Sequence, residues 1–185
     1  IMTEFTTLFT PYTLKNVPLR NRLVMLPHVT FYASKDRRPS PRLKNYYIER
    51  AKGGVGLIVS ESQTVHVTGG CENCVDMSSK ASVELWRDGV TAVHDHGAKF
   101  FAQLTHHGLE TFTLFSRREL WGPSAIPNPA IREVPKAMDK ADLAAAIEAF
   151  GIAASNVREA GFDGVERKVG HDGLLRPFLS PFYNQ

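Results

Sequence analysis

Five short stretches of this chain carry side chains able to do chemistry: Pro27-His28-Val29, Glu61-Ser62-Gln63, Cys71 with Cys74, Gln103 through His107, and Lys168 through Asp172. Gln103 brings a primary amide, which both donates and accepts and so can match a carbonyl beside a ring nitrogen. Taken by itself, a glutamine at a strand end more often bonds a neighbouring loop. His171 offers an imidazole that can donate to an oxygen, and Lys168 a point-like ammonium that can do the same. Taken alone, a histidine is more often structural, and Lys168 reads equally well as a partly solvated strand-end lysine. His106 and His107 are adjacent, and neighbours on a strand face opposite sides, so they cannot share one metal ion there. His106 is therefore read as structural, and no metal site is expected. Cys71 and Cys74 stand C-x-x-C. A four-cysteine metal site would need a second pair, and the chain has only 2 cysteines. A redox pair would usually open a helix just after a strand, whereas Gly69-Gly70 precede this one and a polar stretch follows. The remaining reading, two thiols in a loop, is the expectation.

Composition narrows the class. The 185 residues suffice for one domain with a core, and a single domain over 1–185 is expected. Hydrophobic residues at 43% and charged residues at 22% describe an ordinary globular chain. A net charge of +3 is too mild to argue for nucleic acid or a membrane surface as partner. No apolar run approaches the ~20 residues a membrane span needs. The N-terminus lacks a basic stretch followed by an apolar run, so no secretory signal is read there and a cytoplasmic location is expected.

What must position the reactive stretches is an alternation of element types. Leu23-Val24-Met25-Leu26 reads as a short buried strand. Ser40 offers an N-cap and Pro41 the first helical position, with helix from Leu43 to Ala51 and a stop at Gly53-Gly54. Val55 to Val59 is a second buried strand, and a helix around Val83 to His96 stops at Gly97. Lys99 to Leu104 is a third strand. Asp139 caps a helix whose Leu143, Ile147, Phe150 and Val157 share one face; Gly161 ends it, and Phe162 to Val169 holds a fourth strand.

Four strand-then-helix units predict a parallel α/β sheet. A doubly wound nucleotide fold would want a glycine fingerprint after the first strand, where Pro27-His28-Val29-Thr30 stands instead. A (β/α)8 barrel carries its chemistry in the loops after its strands, which is where the polar stretches fall. The fold class expected is α/β, the N-terminal half of a (β/α)8 TIM barrel. About four βα units are present, and the barrel does not close within this chain.

The motifs resemble a known family. Asn21-Arg22-Leu23-Val24-Met25-Leu26-Pro27-His28 is similar to the first strand of Old Yellow Enzyme-type NADH:flavin oxidoreductases, and Gly53 through Glu61 to their second. Gln103-Leu104-Thr105-His106-His107-Gly108 matches their Q-L-x-H-x-G, and Gly122-Pro123-Ser124-Ala125 the loop after it. Ala160 through Glu166 and Phe178-Leu179-Ser180-Pro181 match the fourth unit. Any one motif is weak, but the six stand in the family's order and spacing over nearly the whole chain. The Pro-His pair most resembles the trimethylamine-dehydrogenase and dienoyl-CoA-reductase branch.

The resemblance implies an FMN cofactor lying across the carboxyl end of the barrel. By position, Pro27, His28 and Val29 would run along the flavin ring, Ser62 would supply the second strand's contact, and Gln103 would meet the pyrimidine edge. His171 aligns with the family's histidine for the substrate oxygen, and Lys168 stands where many relatives carry a second histidine; these two are the catalytic candidates. The implied reaction passes hydride from NADH or NADPH through flavin to an activated alkene such as an enone or dienoyl thioester. Amine oxidation, or a non-catalytic fragment, are the alternatives. A small-molecule substrate is the expected partner, and homo-oligomerisation is left open. An iron–sulfur cluster would belong only to a C-terminal part that some longer relatives have.

Three departures stand out. Gly173 replaces a tyrosine that often protonates the alkene. Arg167 interrupts an apolar strand face between Val165 and Val169, so a carboxylate should pair with it or the strand should be imperfect. In the family, four more units follow the position of Gln185, holding an arginine near the flavin and the loops that bind its phosphate.

Overall fold

A computed structural model describes residues 5–185. Strands β1 (Tyr12–Leu14) and β2 (Val17–Leu19) form an antiparallel hairpin. Then come β3 (Val24–Met25), α1 (Pro41–Lys52), β4 (Leu57–Thr64), α2 (Lys80–Asp95) and β5 (Lys99–Thr105). A short α3 (Thr113–Ser116) leads to β6 (Trp121–Gly122) and β7 (Lys136–Ala137), which pair parallel across the proline-rich loop. Helix α4 (Lys140–Glu159), β8 (Gly164–Arg167) and a one-turn α5 (Leu175–Leu179) complete the chain. Strands β3, β4, β5 and β8 lie in that order in one parallel sheet, with β3 and β8 as open edges. This is the expected half of a barrel sheet, with the helices as crossovers.

The two faces of β5 show how the sheet divides its work. Phe100, Ala102 and Leu104 face the helices and join Tyr47, Trp86 and Val157 in the main core. The aromatic rings interlock there, Phe100 lying 4.7 Å from Phe162 and 5.0 Å from Tyr47 between centroids. Phe101 faces the other way and packs with Leu57, Val59 and Leu19, so the hairpin covers the start of the strands on what would be the barrel interior. Further along the same face comes Gln103. The register slips between Val59 and Ser62: Val59 pairs with Phe101, but Ser62 pairs with Gln103. One extra residue on β4 makes a bulge. It brings Ser62, rather than Glu61, opposite Gln103.

Several sequence expectations change here. Strand β4 runs on to Thr64, so Glu61, Ser62 and Gln63 are buried within a strand rather than in the loop after it. Their cost is met by bonds: the Glu61 N–H donates to Tyr47 Oη at 2.7 Å, and Gln63 Oε1 accepts from the Trp86 indole at 3.0 Å. Strand β3 is shorter than expected and not buried, with Val24 and Leu26 exposed, because it is an edge. Helix α4 turns Ala146, Ala149, Ala153 and Val157 inward and leaves Leu143 and Ile147 outward. The small residues win because α4 must approach the sheet closely. Arg167 is exposed on the edge strand β8, so the desolvation cost expected of it does not arise. Among the described residues no helix is long and apolar enough to cross a membrane.

Helix α4 starts on a reciprocal cap. The Asp139 carboxylate accepts from Ala141 N–H at 2.8 Å and Asp142 N–H at 2.9 Å, while Asp142 accepts from Asp139 N–H at 3.0 Å. Asp139→Ala is expected to lower folding stability by about 1 kcal/mol. Urea unfolding would read this as a lower midpoint at constant slope, and an unmoved midpoint would mean that packing alone sets the start of α4.

Candidate functional site

The carboxyl ends of the four sheet strands open onto a trough of about 460 Å³. It is lined by Leu26, Pro27, His28 and Val29 after β3, Ser62 from β4, Gln103 from β5, and Glu166, Lys168 and His171 from β8 and its following loop. Every residue singled out from the sequence for binding or catalysis lies on this one surface.

A chain of polar contacts fixes their positions. Ser62 Oγ donates to Gln103 Oε1. Gln103 Nε2 donates to the Glu166 carboxylate at 2.7 Å. Lys168 Nζ reaches Ser62 Oγ at 3.4 Å and pairs with Asp172 Oδ1 at 2.6 Å. His171 Nε2 stands 3.4 Å from the other Asp172 oxygen. Asp172 thus sits between the two candidate donors and holds the lysine. His171 has a φ of 38°, a left-handed conformation that histidine tolerates better than most residues and that often marks a functional turn. Its side chain is 80% exposed, whereas that of Lys168 is 7% exposed. The two donors therefore differ in freedom: the lysine is locked and the imidazole can swing.

Glu61 on β4 bonds Thr30, the residue that follows the Pro27–Val29 segment. One of its oxygens accepts from both the N–H and the hydroxyl of Thr30, each at 2.6 Å. The other is buried without a partner. Burial pushes the Glu61 carboxyl above the usual carboxylate range, against the Thr30 bonds that pull it down. This clamp ties the segment after β3 to β4. Sequence reasoning missed Glu166 and Asp172 as partners and the clamping role of Glu61. The strand register and the bulge create those pairings, and neither can be read from spacing.

His106 is structural, as expected. It stacks on Trp121, centroids 5.3 Å apart, and His66 stacks on the same indole at 4.9 Å. Its Nδ1 accepts from Gly108 N–H at 3.0 Å, so its proton sits on Nε2, facing Thr68 Oγ1 at 2.9 Å. Burial, reinforced by His66 and His107, lowers its pKa to about 3. His107 is also held neutral by burial, its Nδ1 facing the Gly69 carbonyl at 2.9 Å. Among the described residues no three His, Cys, Asp or Glu side chains gather as a metal site. Gly173 has a φ of 99°, a conformation that strains any other residue, and it offers no acid to the trough.

Cys71 and Cys74 correct the reading of two free thiols: their sulfurs are bonded. Asn73 adopts a left-handed φ of 50° and turns the chain so that the two Cα atoms come within 5.6 Å, inside the disulfide range. A second groove, of about 510 Å³, lies between α4 and α5. Its lining is apolar apart from Arg167, and none of the candidate residues reaches it.

The trough suits a flat heteroaromatic ring. Leu26, Pro27 and Val29 give an apolar bed, and Gln103 keeps one N–H and one lone pair beyond those it spends on Glu166 and Ser62. A phosphate cradle is absent from its lining. FMN therefore fits by its ring portion.

Half a parallel barrel sheet with its polar residues at the strands' carboxyl ends defines the class. Residues 7–185 match the NADH:flavin oxidoreductase / NADH oxidase family, and this chain belongs to that family. It is 36% identical over 182 residues to an NADPH dehydrogenase of Geobacillus sp. (strain WCH70), covering 97% of this chain and 53% of that one. It is 31% identical to an N,N-dimethylglycine/sarcosine dehydrogenase of Chromohalobacter salexigens, covering 98% of this chain and 27% of that one. Its structure overlays the Old Yellow Enzyme homologue of Zymomonas mobilis with a TM-score of 0.89 at 28% identity, covering 97% of this chain and 53% of that one. The chain thus spans about half the length of the NADPH dehydrogenase and of the solved homologue, in accord with a half barrel.

Proposed function

We propose that the trough is the ring-binding half of an FMN site and the substrate site of an NAD(P)H-dependent oxidoreductase acting on an activated alkene, such as an enone or dienoyl thioester. The supporting observation is the convergence of Pro27, His28, Val29, Ser62, Gln103, Lys168 and His171 on one surface at the strands' carboxyl ends. Bound FMN would supply the ability to take up a hydride and pass it on. Pro27, His28 and Val29 would form the bed of the ring. Ser62 and Glu166 would aim the Gln103 amide so that its free N–H and lone pair meet the pyrimidine edge. His171 and Lys168 would donate to a substrate carbonyl oxygen, drawing electrons from the β-carbon. Asp172 would keep the Lys168 ammonium in place, and the His171 imidazole would swing in to meet that oxygen. With Gly173 in place of a phenol, the final proton would come from water or another acid.

His171→Ala, made in a completed barrel, is expected to slow the step that consumes the alkene by about 100-fold, the usual loss for one oxyanion donor. The step that consumes nicotinamide should change little. Stopped-flow traces with both half-reactions slowed equally would make His171 structural.

Amine oxidation is the second reading. The Glu166 carboxylate in the trough favours it, as does the similarity to a dimethylglycine/sarcosine dehydrogenase. Turnover of an enone against turnover of a secondary or tertiary amine separates the two.

A further inference from the structure

One reactive group lies outside the trough and has no part in the chemistry above: the Cys71–Cys74 pair. We propose that it is a thiol–disulfide exchange site, with Cys71 the sulfur that an incoming dithiol attacks.

Four observations converge on this. First, the two sulfurs are unequally placed. Cys71 is partly exposed, whereas Cys74 is 1% exposed. An external thiolate can reach only the first. Second, the ring spans four residues. So short a loop restricts the unfolded chain least, which makes the bond a poor staple. Third, the flanks are pinned without it. Gly69 and Gly70 carbonyls accept from the His107 N–H at 3.2 Å and the Thr111 hydroxyl at 3.2 Å. On the other side Val75 O accepts from Thr64 N–H at 2.8 Å, and Met77 N–H donates to Thr64 O at 2.9 Å. The ring can therefore open and close while the loop keeps its course. Fourth, a cation faces it. The Arg37 guanidinium donates to Thr64 Oγ1 and to Cys74 O at 3.5 Å, and lies so close to Gly70 that a Cβ there would meet it at 3.1 Å. Asp76 lies near Arg37, and Glu72 projects from the ring to solvent. The half-buried guanidinium lies against the ring backbone, and a cation beside a cysteine favours its thiolate.

The exchange balances as follows. A thiolate of the external dithiol bonds to Cys71 Sγ, the Cys71–Cys74 bond breaks, and Cys74 leaves as a thiolate and takes a proton. The dithiol's second sulfur then attacks its own mixed-disulfide sulfur and releases Cys71 as the second thiol. Two electrons and two protons reach the protein, and the dithiol leaves as a disulfide.

The test uses a barrel completed by four further βα units, equilibrated with graded mixtures of reduced and oxidised glutathione, then quenched with acid and alkylated for mass analysis. The same titration in urea is the reference. The expected result is a pair that interconverts within the glutathione range at a ratio different from that in urea. A glutathione adduct should be trapped on Cys71 in Cys74→Ser and be much weaker on Cys74 in Cys71→Ser. Arg37→Gln should slow trapping several-fold. A pair that stays oxidised throughout is structural and overturns the proposal. So does a native ratio equal to that in urea, or equal trapping on both sulfurs.

Discussion

Expressed as residues 1–185 alone, this polypeptide is expected to elute as dimers or larger assemblies and to carry no stoichiometric FMN. Strands of a parallel sheet are normally buried on both faces and paired on both sides. Here β3 and β8 are open edges, each presenting unpaired N–H and C=O groups. Leu26 is 70% exposed, Ile147 74% and Leu179 73%, and the groove between α4 and α5 is apolar. Such surfaces seek a partner. Pairing of two copies edge to edge would repair part of the loss, so association is expected rather than a random coil. The cofactor loses more. The trough lining offers no phosphate cradle, and in barrels of this kind the phosphate is held after the seventh and eighth strands. Binding by the ring alone forfeits the charge-assisted bonds of the phosphate. Size exclusion, thermal melting and the flavin spectrum check this together. A sharp melt from a monomer with one FMN would contradict it.

Acid should destabilise any folded form of this protein well above the carboxylate range. His106 has an unfolded pKa near 6.5 and a folded pKa of about 3. The unfolded chain therefore binds a proton that the folded one refuses. The stability is complete above pH 6.5 and falls as pH drops toward 3, at roughly 1.4 kcal/mol per pH unit. By pH 4 the loss is about 3 kcal/mol. His107 is lowered too and adds in the same direction. Glu61 works the other way, since its raised carboxyl takes a proton more readily folded than unfolded. In Asp163 burial raises the pKa, but bonds from Lys99, Phe100 N–H and His94 outweigh it, so it acts only below its unfolded value near pH 3.9. Melting temperatures between pH 7.5 and 4 should fall steeply, and His106→Gln should flatten the slope. An equal slope in the variant would clear His106 of the effect.

How much of this could be read from residues alone depends on range. Local signals read well: Ser40-Pro41 and Asp139 start their helices, and Gly161, with a φ of 96°, ends α4. Motif order gave the half barrel and the residues that line the trough. What failed depends on neighbours in space. The bulge that sets Ser62 against Gln103 arises from pairing between strands. Glu166 gained its partner through register with Gln103, and Asp172 through a turn in the loop after β8. The apolar stripe of α4 suggested Leu143 and Ile147 as core, but the sheet accepted the alanine face. Arg167 looked buried because its neighbours are apolar, yet edge strands leave such residues outside. The cysteine spacing was visible, but the bond depended on Asn73 taking a left-handed turn.

The central claim is that the trough holds the flavin ring through Gln103. The direct measurement is titration of apoprotein with FMN, followed by quenching of flavin fluorescence, in a barrel completed by four further βα units. Gln103→Ala should cost roughly 1–3 kcal/mol of binding, a rise in Kd of roughly 5- to 150-fold, with the melting temperature recorded alongside to confirm folding. An unchanged Kd in a folded variant would remove Gln103 from the site and contradict the claim.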